Sequence, residues 1–81
     1  MIESKDVIVE KFLQLATQFE KSQSPMIGMD LDSAVVTLKR YLLSVEKNED
    51  LGIKLGRLNK LVRSRDMDAF SALLTEIRAE L

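Results

Sequence analysis

The chain has 81 residues, of which 46% are hydrophobic and 31% charged, and its formal net charge at pH 7 is −1. A chain of this length can bury one small core, so we predict a single domain that spans residues 1–81. It contains no Cys and no His, which excludes disulfides, the usual zinc sites, thiolate nucleophiles and imidazole acid-base catalysis. We therefore predict a protein that is not an enzyme and that needs no metal or cofactor.

The longest apolar runs are three residues, as at Val7, Ile8 and Val9. Neither a transmembrane helix nor the apolar region of a signal peptide can be built from runs this short. We predict a cytoplasmic protein with no membrane partner. The near-zero net charge gives no overall field that attracts nucleic acid, so a nucleic-acid partner would need a local basic patch.

Apolar residues recur every three to four positions along the whole chain, and no segment keeps the period of two that is typical of strands. This pattern predicts an all-α fold, a small bundle of four helices. We expect the helices at about residues 5–21, 31–46, 50–63 and 67–80. Ser4 is the expected N-cap of the first helix. The core stripe of that helix consists of Ile8, Phe12, Leu15 and Phe19.

Residues 22–30 interrupt the pattern with Ser, Gly and the single proline, Pro25, all of which disfavour a continued helix. We predict the main loop of the protein here. Its apolar residues Met26, Ile27 and Met29 are expected to close one end of the bundle, because Met fills irregular gaps. A binding site lined by these methionines is the alternative interpretation.

The second helix is expected to start at Leu31 or Ser33. One broad apolar stripe of this helix is formed by Leu31, Ala34, Val35, Leu38, Tyr41, Leu42 and Val45. Val36 and Leu43 lie seven positions apart on the opposite side. Because a helix that is apolar on two faces is usually covered on both, this helix either crosses the middle of the bundle or contacts another chain.

The pair Asp32-Ser33 lies where this helix is expected to begin, and Asp30 or Asp32 can accept hydrogen bonds from the free amides of the first turn. The chain resembles carrier proteins in its size, its helix count and this Asp-Ser pair, whose serine bears a phosphopantetheine arm in that family. The resemblance implies a modified Ser33. It covers little beyond the pair, because carrier proteins place a large apolar residue after the serine, where this chain has Ala34. Helix capping is the interpretation that we favour.

The third helix carries one apolar face, formed by Leu51, Leu55, Leu58 and Val62. Gly52 and Gly56 lie four positions apart in it, which indicates a shallow contact with a neighbouring helix. The same segment has the strongest charge bias in the chain, with no acidic residue among Lys54, Arg57, Lys60, Arg63 and Arg65. This basic patch is the feature that a nucleic-acid partner would need.

The fourth helix is expected to follow Ser64 or Asp66 as its N-cap. Its apolar seam consists of Met67, Phe70, Leu74, Ile77 and Leu81. Its acidic residues, which include Glu76 and Glu80, are expected to face the basic third helix within the fold or between subunits. Exposed ion pairs of this kind contribute little stability, so they would set orientation more than strength.

Because no catalytic set of residues is visible, we predict function from the surfaces. The leading hypothesis is a helical protein-protein interaction module of the adaptor, inhibitor or co-chaperone type. Its expected interface consists of Val36, Lys39, Leu43 and Ile53. The expected partner is another protein or a second copy of the chain, in a homodimer. The alternatives are a nucleic-acid-associated regulator that uses the basic patch, and a carrier-like domain that acts through Ser33.

Overall fold

A computed structural model describes residues 4–81 of the chain. Four α-helices follow one another in this part: α1 (Lys5–Ser22), α2 (Pro25–Tyr41), α3 (Glu49–Ser64) and α4 (Met67–Glu80). A π-helical turn (Leu42–Glu46) directly continues α2. The all-α, four-helix prediction is confirmed, and the bounds of α1, α3 and α4 agree with the expected ones to within one residue.

The beginnings of α1, α3 and α4 are capped by side chains. The oxygens of Ser4, Asn48 and Asp66 each accept a hydrogen bond from the backbone N–H three residues later, at 3.4, 3.2 and 3.3 Å respectively. Each cap satisfies an amide that has no partner inside its own helix. The expected caps Ser4 and Asp66 are therefore confirmed.

The predicted start of the second helix is wrong, because α2 begins at Pro25 and not at Leu31 or Ser33. Proline is well suited to the first position of a helix, since its fixed φ is helical and the missing N–H would have had no partner there. Ser24 is the N-cap residue, and its C=O accepts the N–H of Gly28 at 2.9 Å. The predicted long loop is thus reduced to Gln23 and Ser24.

Tertiary packing stabilises this early first turn of α2. Gly28 is buried, and a Cβ at its position would lie 3.2 Å from Cε1 of Phe19 and 3.5 Å from Cγ1 of Val62. A side chain at this position would force Phe19 to shift by a few tenths of an ångström, so glycine suits the close approach of the three helices. Met26 and Met29 project into solvent, so the prediction that they close the end of the bundle is wrong for both.

The π turn ends the second helical segment at Glu46, as expected. The C=O of Leu42 accepts the N–H of Lys47, and also that of Asn48 at 2.9 Å. An ion pair joins this turn to the start of α1, with Nζ of Lys5 2.6 Å from Oε2 of Glu46. The hydrogen bond to Glu46 raises the pKa of Lys5 above its ordinary value.

Three helical segments end on a residue in the left-handed conformation: α1 at Gln23, the π turn at Lys47 and α3 at Arg65, with φ of 51°, 53° and 57°. This is the usual geometry of a helix C-cap, where glycine is the favoured residue. A side chain with a Cβ costs about 1–2 kcal/mol in this conformation. None of these three ends has a glycine, which would adopt this conformation without that cost.

The helices pack in chain order, α1 on α2, α2 on α3 and α3 on α4, and α4 returns to α1. The return contact includes the rings of Phe19 and Phe70, which meet edge to face with centroids 5.4 Å apart. At the surface, the guanidinium of Arg78 donates a hydrogen bond to Oγ1 of Thr17 at 2.8 Å. The result is a ring of four antiparallel neighbours around one core.

The core takes buried residues from every helix: Ile8, Phe12, Ala16, Phe19, Leu31, Ala34, Val35, Leu38, Leu42, Leu51, Leu55, Leu58, Val62, Phe70, Leu74 and Ile77. Most of the predicted stripe residues are confirmed by this set. Leu15, Tyr41, Met67 and Leu81 pack against it but keep part of their surface in solvent. Val45 is exposed, so its assignment to the core stripe is wrong. A π turn advances each residue by a smaller angle than an α-helix does, and this turns Val45 away from the core.

Candidate functional site

Two stripes of side chains lie next to each other on the solvent side of α2 and α3. Each stripe follows spacings of three and four residues and therefore occupies one face of its helix. The α2 stripe, which continues into the π turn, consists of Met29, Asp32, Ser33, Val36, Lys39, Arg40 and Leu43. The α3 stripe consists of Glu49, Ile53, Gly56, Lys60 and Arg63. We call these two stripes together the α2–α3 face.

An ion pair and a close approach fix the antiparallel register of the two stripes. Near one end, Oδ1 of Asp32 lies 3.8 Å from Nη2 of Arg63. Seven residues further along α2, the ammonium of Lys39 lies over Gly56, which precedes Arg63 by seven residues in α3. The equal steps in opposite directions show that the stripes remain side by side over two helical turns.

The two glycines of α3 make the face flat. A Cβ at Gly52 would lie 3.1 Å from Cδ2 of Leu43, and a Cβ at Gly56 would lie 3.4 Å from Nζ of Lys39. Since α3 has no side chains at these positions, Leu43 and Lys39 lie down across its backbone. The shallow helix contact predicted from the glycine spacing is confirmed.

The predicted interface residues keep a large part of their surface in solvent. Val36 is 39% exposed, Leu43 40% and Ile53 56%, and Met29 at the end of the α2 stripe is 73% exposed. Helix 2 is therefore not the fully buried centre of the bundle, which was one of the two explanations for its second apolar face. The other explanation, contact with another chain, stays a prediction.

A cavity of about 380 Å³ opens at the Met29 end of the face, between the end of α1, the start of α2 and the end of α3. Its floor includes the buried side chains of Phe19 and Val62. Met29, Asp32, Arg63 and Arg65 lie at its border. Asp32 faces Arg63, so an apolar floor with the guanidinium of Arg65 at its border suits an apolar group that has an anionic neighbour.

The basic patch predicted on the third helix is partly neutralised within the fold. Nζ of Lys54 donates a hydrogen bond to Oε2 of Glu80 on α4 at 2.5 Å, and this bond raises the pKa of Lys54 above its ordinary value. The expected pairing of α3 cations with α4 acids is confirmed at this position. Within residues 4–81, no carboxylate forms an ion pair with Arg57, Lys60 or Arg65.

The basic residues of α3 do not form one stripe. Lys54, Arg57, Lys60 and Arg63 are each three positions apart, and every such step turns back by about 60° around the helix axis. The four side chains therefore spread over half of the helix circumference, from the α4 side to the α2 side. Lys60 and Arg63 belong to the α2–α3 face, whereas Lys54 belongs to the contact with α4.

Ser33 lies in the interior of α2 and not at its start, because the helix begins at Pro25. It cannot be a cap residue of this helix, nor can Asp30 or Asp32. Its side chain is exposed, and its backbone C=O accepts a hydrogen bond from Oγ1 of Thr37 at 3.1 Å. The carrier-protein resemblance rested on an Asp-Ser pair at a helix start, and this pair lies elsewhere.

Two further properties limit the kinds of site that residues 4–81 contain. No helix in this range combines the length and apolar character needed to cross a membrane. The carboxylates described in it form no group of three that would bind a metal ion. Comparison of the chain with protein-family models, with curated proteins and with solved structures gave no match, so function is inferred from the geometry of the site.

The sequence analysis missed part of the α2–α3 face. Met29 was expected in the loop at residues 22–30, and neither Met29 nor Arg40 was among the expected interface residues. The missed signal is the heptad spacing of Met29, Val36 and Leu43, which becomes visible only when the helix is extended back to Pro25.

Proposed function

We propose that this protein is a non-enzymatic helical interaction module, of the adaptor, inhibitor or co-chaperone type, that binds another protein through the α2–α3 face. One observation carries the proposal: Val36 and Leu43 remain about 40% exposed on a face that the glycines of α3 keep flat. Scattered apolar residues are common on protein surfaces, and it is their place on one face bordered by charges that makes these residues candidates for a docking surface.

Energetics favour burial of this face by a partner. Fully burying a Val or Leu side chain contributes on the order of 1.5–3 kcal/mol, and Val36, Leu43 and Ile53 still have between a third and two thirds of their surface to lose to a partner. Association must also overcome the loss of translational and rotational freedom, so the charged residues at the border have to contribute as well. Lys39 and Arg40 are available for that role.

Self-association in a homodimer through the same face is the first alternative, since the apolar patch alone does not distinguish a second copy from another protein. Nucleic-acid binding through Lys54, Arg57, Lys60, Arg63 and Arg65 is the second. Arg57, Lys60 and Arg65 support it, because they have no ion-pair partner in the described part of the chain. Three of the four aromatic residues, Phe12, Phe19 and Phe70, are buried and cannot stack on bases, which weakens it.

A carrier function through Ser33 is the least supported candidate, since the serine is not at a helix start. The cytoplasm remains the proposed compartment, on the sequence argument alone. Mass spectrometry of the protein purified from its natural host tests whether Ser33 carries a prosthetic group. Fractionation of the same cells tests the compartment.

Affinity capture from a native extract tests the proposed function. The test protein carries Val36→Ser with Leu43→Gln, and the matched control carries Val7→Ser, which removes an exposed apolar side chain from α1 instead. The unmodified chain and the control should capture the same protein, and the double variant should lose it while keeping its helical circular dichroism. Light scattering on the three pure proteins shows whether the captured partner is a second copy.

Two results would contradict the proposal. The double variant could capture the partner undiminished, in which case the face is not the interface. Alternatively, the double variant could unfold a protein that is monomeric to begin with, which would mean that Val36 and Leu43 serve the stability of the bundle and not association.

A further inference from the structure

We infer that the partner presents an amphipathic helix whose apolar stripe is bordered on both sides by Asp and Glu residues. This inference rests on the proposed function and names the chemistry of the partner at the same face. Three properties of the α2–α3 face support it: its charge, its length and the cavity at one end.

The charged residues of the face are predominantly basic. Arg40 and Lys60 are exposed, and Lys39 lies across the α3 backbone at Gly56. Asp32 and Glu49 are the acidic residues of the face, against the four basic residues Lys39, Arg40, Lys60 and Arg63, and Asp32 already faces Arg63 at 3.8 Å. A partner with carboxylates opposite these cations gains favourable pairs, whereas a basic partner meets like charges.

The basic residues also lie on both sides of the apolar residues. Each residue of a helix turns by about 100° from the one before it, so Arg40 is turned further from α3 than Lys39 is. Lys60 is turned away from the core of α3 and borders the face on the opposite side. A helix that packs along the middle, over Val36 and Leu43, would therefore meet a cation on each of its flanks.

The length of the face matches a short helix. Met29, Val36 and Leu43 repeat every seven residues, and at about 1.5 Å per residue they span about 21 Å. A helix of about 14 residues, or four turns, covers this distance. Seven-residue spacing is also the repeat with which two helices keep apolar residues in contact along a shared seam.

The cavity next to Met29 provides an anchor for such a helix. Its floor, formed by Phe19 and Val62, accepts a large apolar side chain of the partner, and Arg65 at its border is placed to contact a neighbouring carboxylate. Arg63 at the same border already faces Asp32. Interfaces commonly concentrate their affinity in one apolar side chain that enters a pocket of this kind. The anchor residue of the partner should therefore have an acidic residue next to it.

The same observations disfavour the other occupants. In a two-fold homodimer this predominantly basic face would meet a copy of itself, so most of its charged residues would meet like charges, which is unfavourable. Nucleic acid would use the cations, but Val36 and Leu43 would stay exposed and contribute nothing to phosphate binding.

Peptide binding tests the inference directly. The probe is a fluorescein-labelled synthetic helix of about 16 residues with Leu at heptad spacing and Glu on both flanks. Its first twin has Lys in place of every Glu, and its second twin keeps Glu and has Ala in place of every Leu. Anisotropy is measured with the unmodified protein, with Arg40→Glu and Lys60→Glu combined, and with Lys11→Glu and Lys21→Glu combined as a control. Lys11 and Lys21 are exposed on α1, so the control changes net charge equally without touching the face.

We expect the acidic peptide to bind and the lysine twin not to bind. The Arg40 and Lys60 reversal should weaken the acidic peptide by at least about tenfold and should strengthen the lysine twin, with no change in the control. Equal binding of the acidic and lysine peptides, or no binding of the acidic one, would overturn the inference. Undiminished binding of the alanine twin would do so as well, because purely electrostatic binding fits a nucleic acid better.

The capture experiment separates this inference from the proposed function. If the acidic peptide fails while Val36→Ser with Leu43→Gln still abolishes capture, the face is an interface and only the chemistry of the partner is wrong. If the double variant captures its partner normally, the proposed function itself is wrong. A shift of duplex DNA at low salt that is lost in the Arg40 and Lys60 reversal would replace the acidic helix with nucleic acid as the occupant.

Discussion

The three glycines of the chain provide a test of the packing, because replacing each by alanine should change stability by a different amount. Alanine stabilises a helix interior by about 1 kcal/mol relative to glycine, so any difference among the three sites must come from what the new methyl group contacts. At Gly56 that contact is Nζ of Lys39, at 3.4 Å. The end of a lysine side chain moves easily, so Gly56→Ala should raise the free energy of unfolding by about 0.5–1 kcal/mol.

Gly28→Ala should have the opposite sign. Its methyl group would lie 3.2 Å from Cε1 of Phe19 and 3.5 Å from Cγ1 of Val62. Both side chains are buried, and the Phe19 ring also packs against Phe70 with centroids 5.4 Å apart, so a shift of the ring away from the new methyl group would disturb that contact. Overpacking a core costs about 1–3 kcal/mol, which leaves a net loss of up to about 2 kcal/mol after the gain in helix propensity.

The change in the free energy of unfolding for Gly52→Ala should lie between those of the other two variants. Its methyl group would lie 3.1 Å from Cδ2 of Leu43, a partly exposed side chain that must shift by a few tenths of an ångström. The gain and the cost should nearly cancel. Urea unfolding followed by circular dichroism measures all three variants, and the expected order of stability is Gly56→Ala, Gly52→Ala, Gly28→Ala. If Gly28→Ala is as stable as Gly56→Ala, the close approach of α1, α2 and α3 at Gly28 is refuted.

Three further predictions follow from individual residues. Lys47→Gly should raise the free energy of unfolding by about 1 kcal/mol, because glycine adopts the left-handed conformation at the end of the π turn without strain. The control Lys11→Gly, within α1, should lower the free energy of unfolding by about 1 kcal/mol. Thermal unfolding compares the two variants. The hydrogen bond from Lys54 to Glu80 raises the pKa of Lys54 above 10.5. The stability that this bond contributes should therefore be fully present below pH 10.5 and be lost as the pH rises through the higher pKa of the folded state. Unfolding curves of Lys54→Met should lack this dependence on alkaline pH. Ser33→Ala should leave the free energy of unfolding unchanged or raise it by up to about 0.5 kcal/mol, because Ser33 is exposed in a helix interior and alanine is the better helix former. An added mass on Ser33 in protein from the natural host would contradict the prediction that it bears no prosthetic arm.

The helices that were predicted most accurately have two independent signals in the sequence. The apolar stripe of α3 and that of α4 each begin just after a residue that caps, Asn48 and Asp66. Periodicity locates the buried face, and the cap locates the first turn. Both signals are local, so neither depends on how the helices later pack.

The start of α2 was missed because its signals are ambiguous in the sequence alone. Pro25 ends a helix or begins one, and Gly28 weakens a helix unless another element packs closely against it. Phe19 of α1 and Val62 of α3 pack closely against Gly28 and so favour a helix there. A contact between residues so far apart in the chain cannot be deduced from local spacing.

The candidate site was predictable in part for a similar reason. Val36 and Leu43 were found because they deviate from the apolar stripe of their own helix. The α3 half of the face depends on the register between the helices, which places Gly56 opposite Lys39, and this register is a property of the packed bundle. The π turn rotates each residue by a smaller angle than the regular period of 3.6 residues per turn assumes. That period therefore placed Val45 in the core, whereas the structure exposes it.

The most direct test of the central claim is amide hydrogen exchange on the protein with and without the partner that it captures. Slower exchange on binding should be confined to the helical segments that carry the α2–α3 face, around residues 29–43 and 53–63, since a docked partner suppresses local opening there. Exchange in α1 should change little. Protection that appears mainly in α1 or α4, with residues 36–43 unchanged, would show that the partner binds elsewhere and would contradict the assignment of this face.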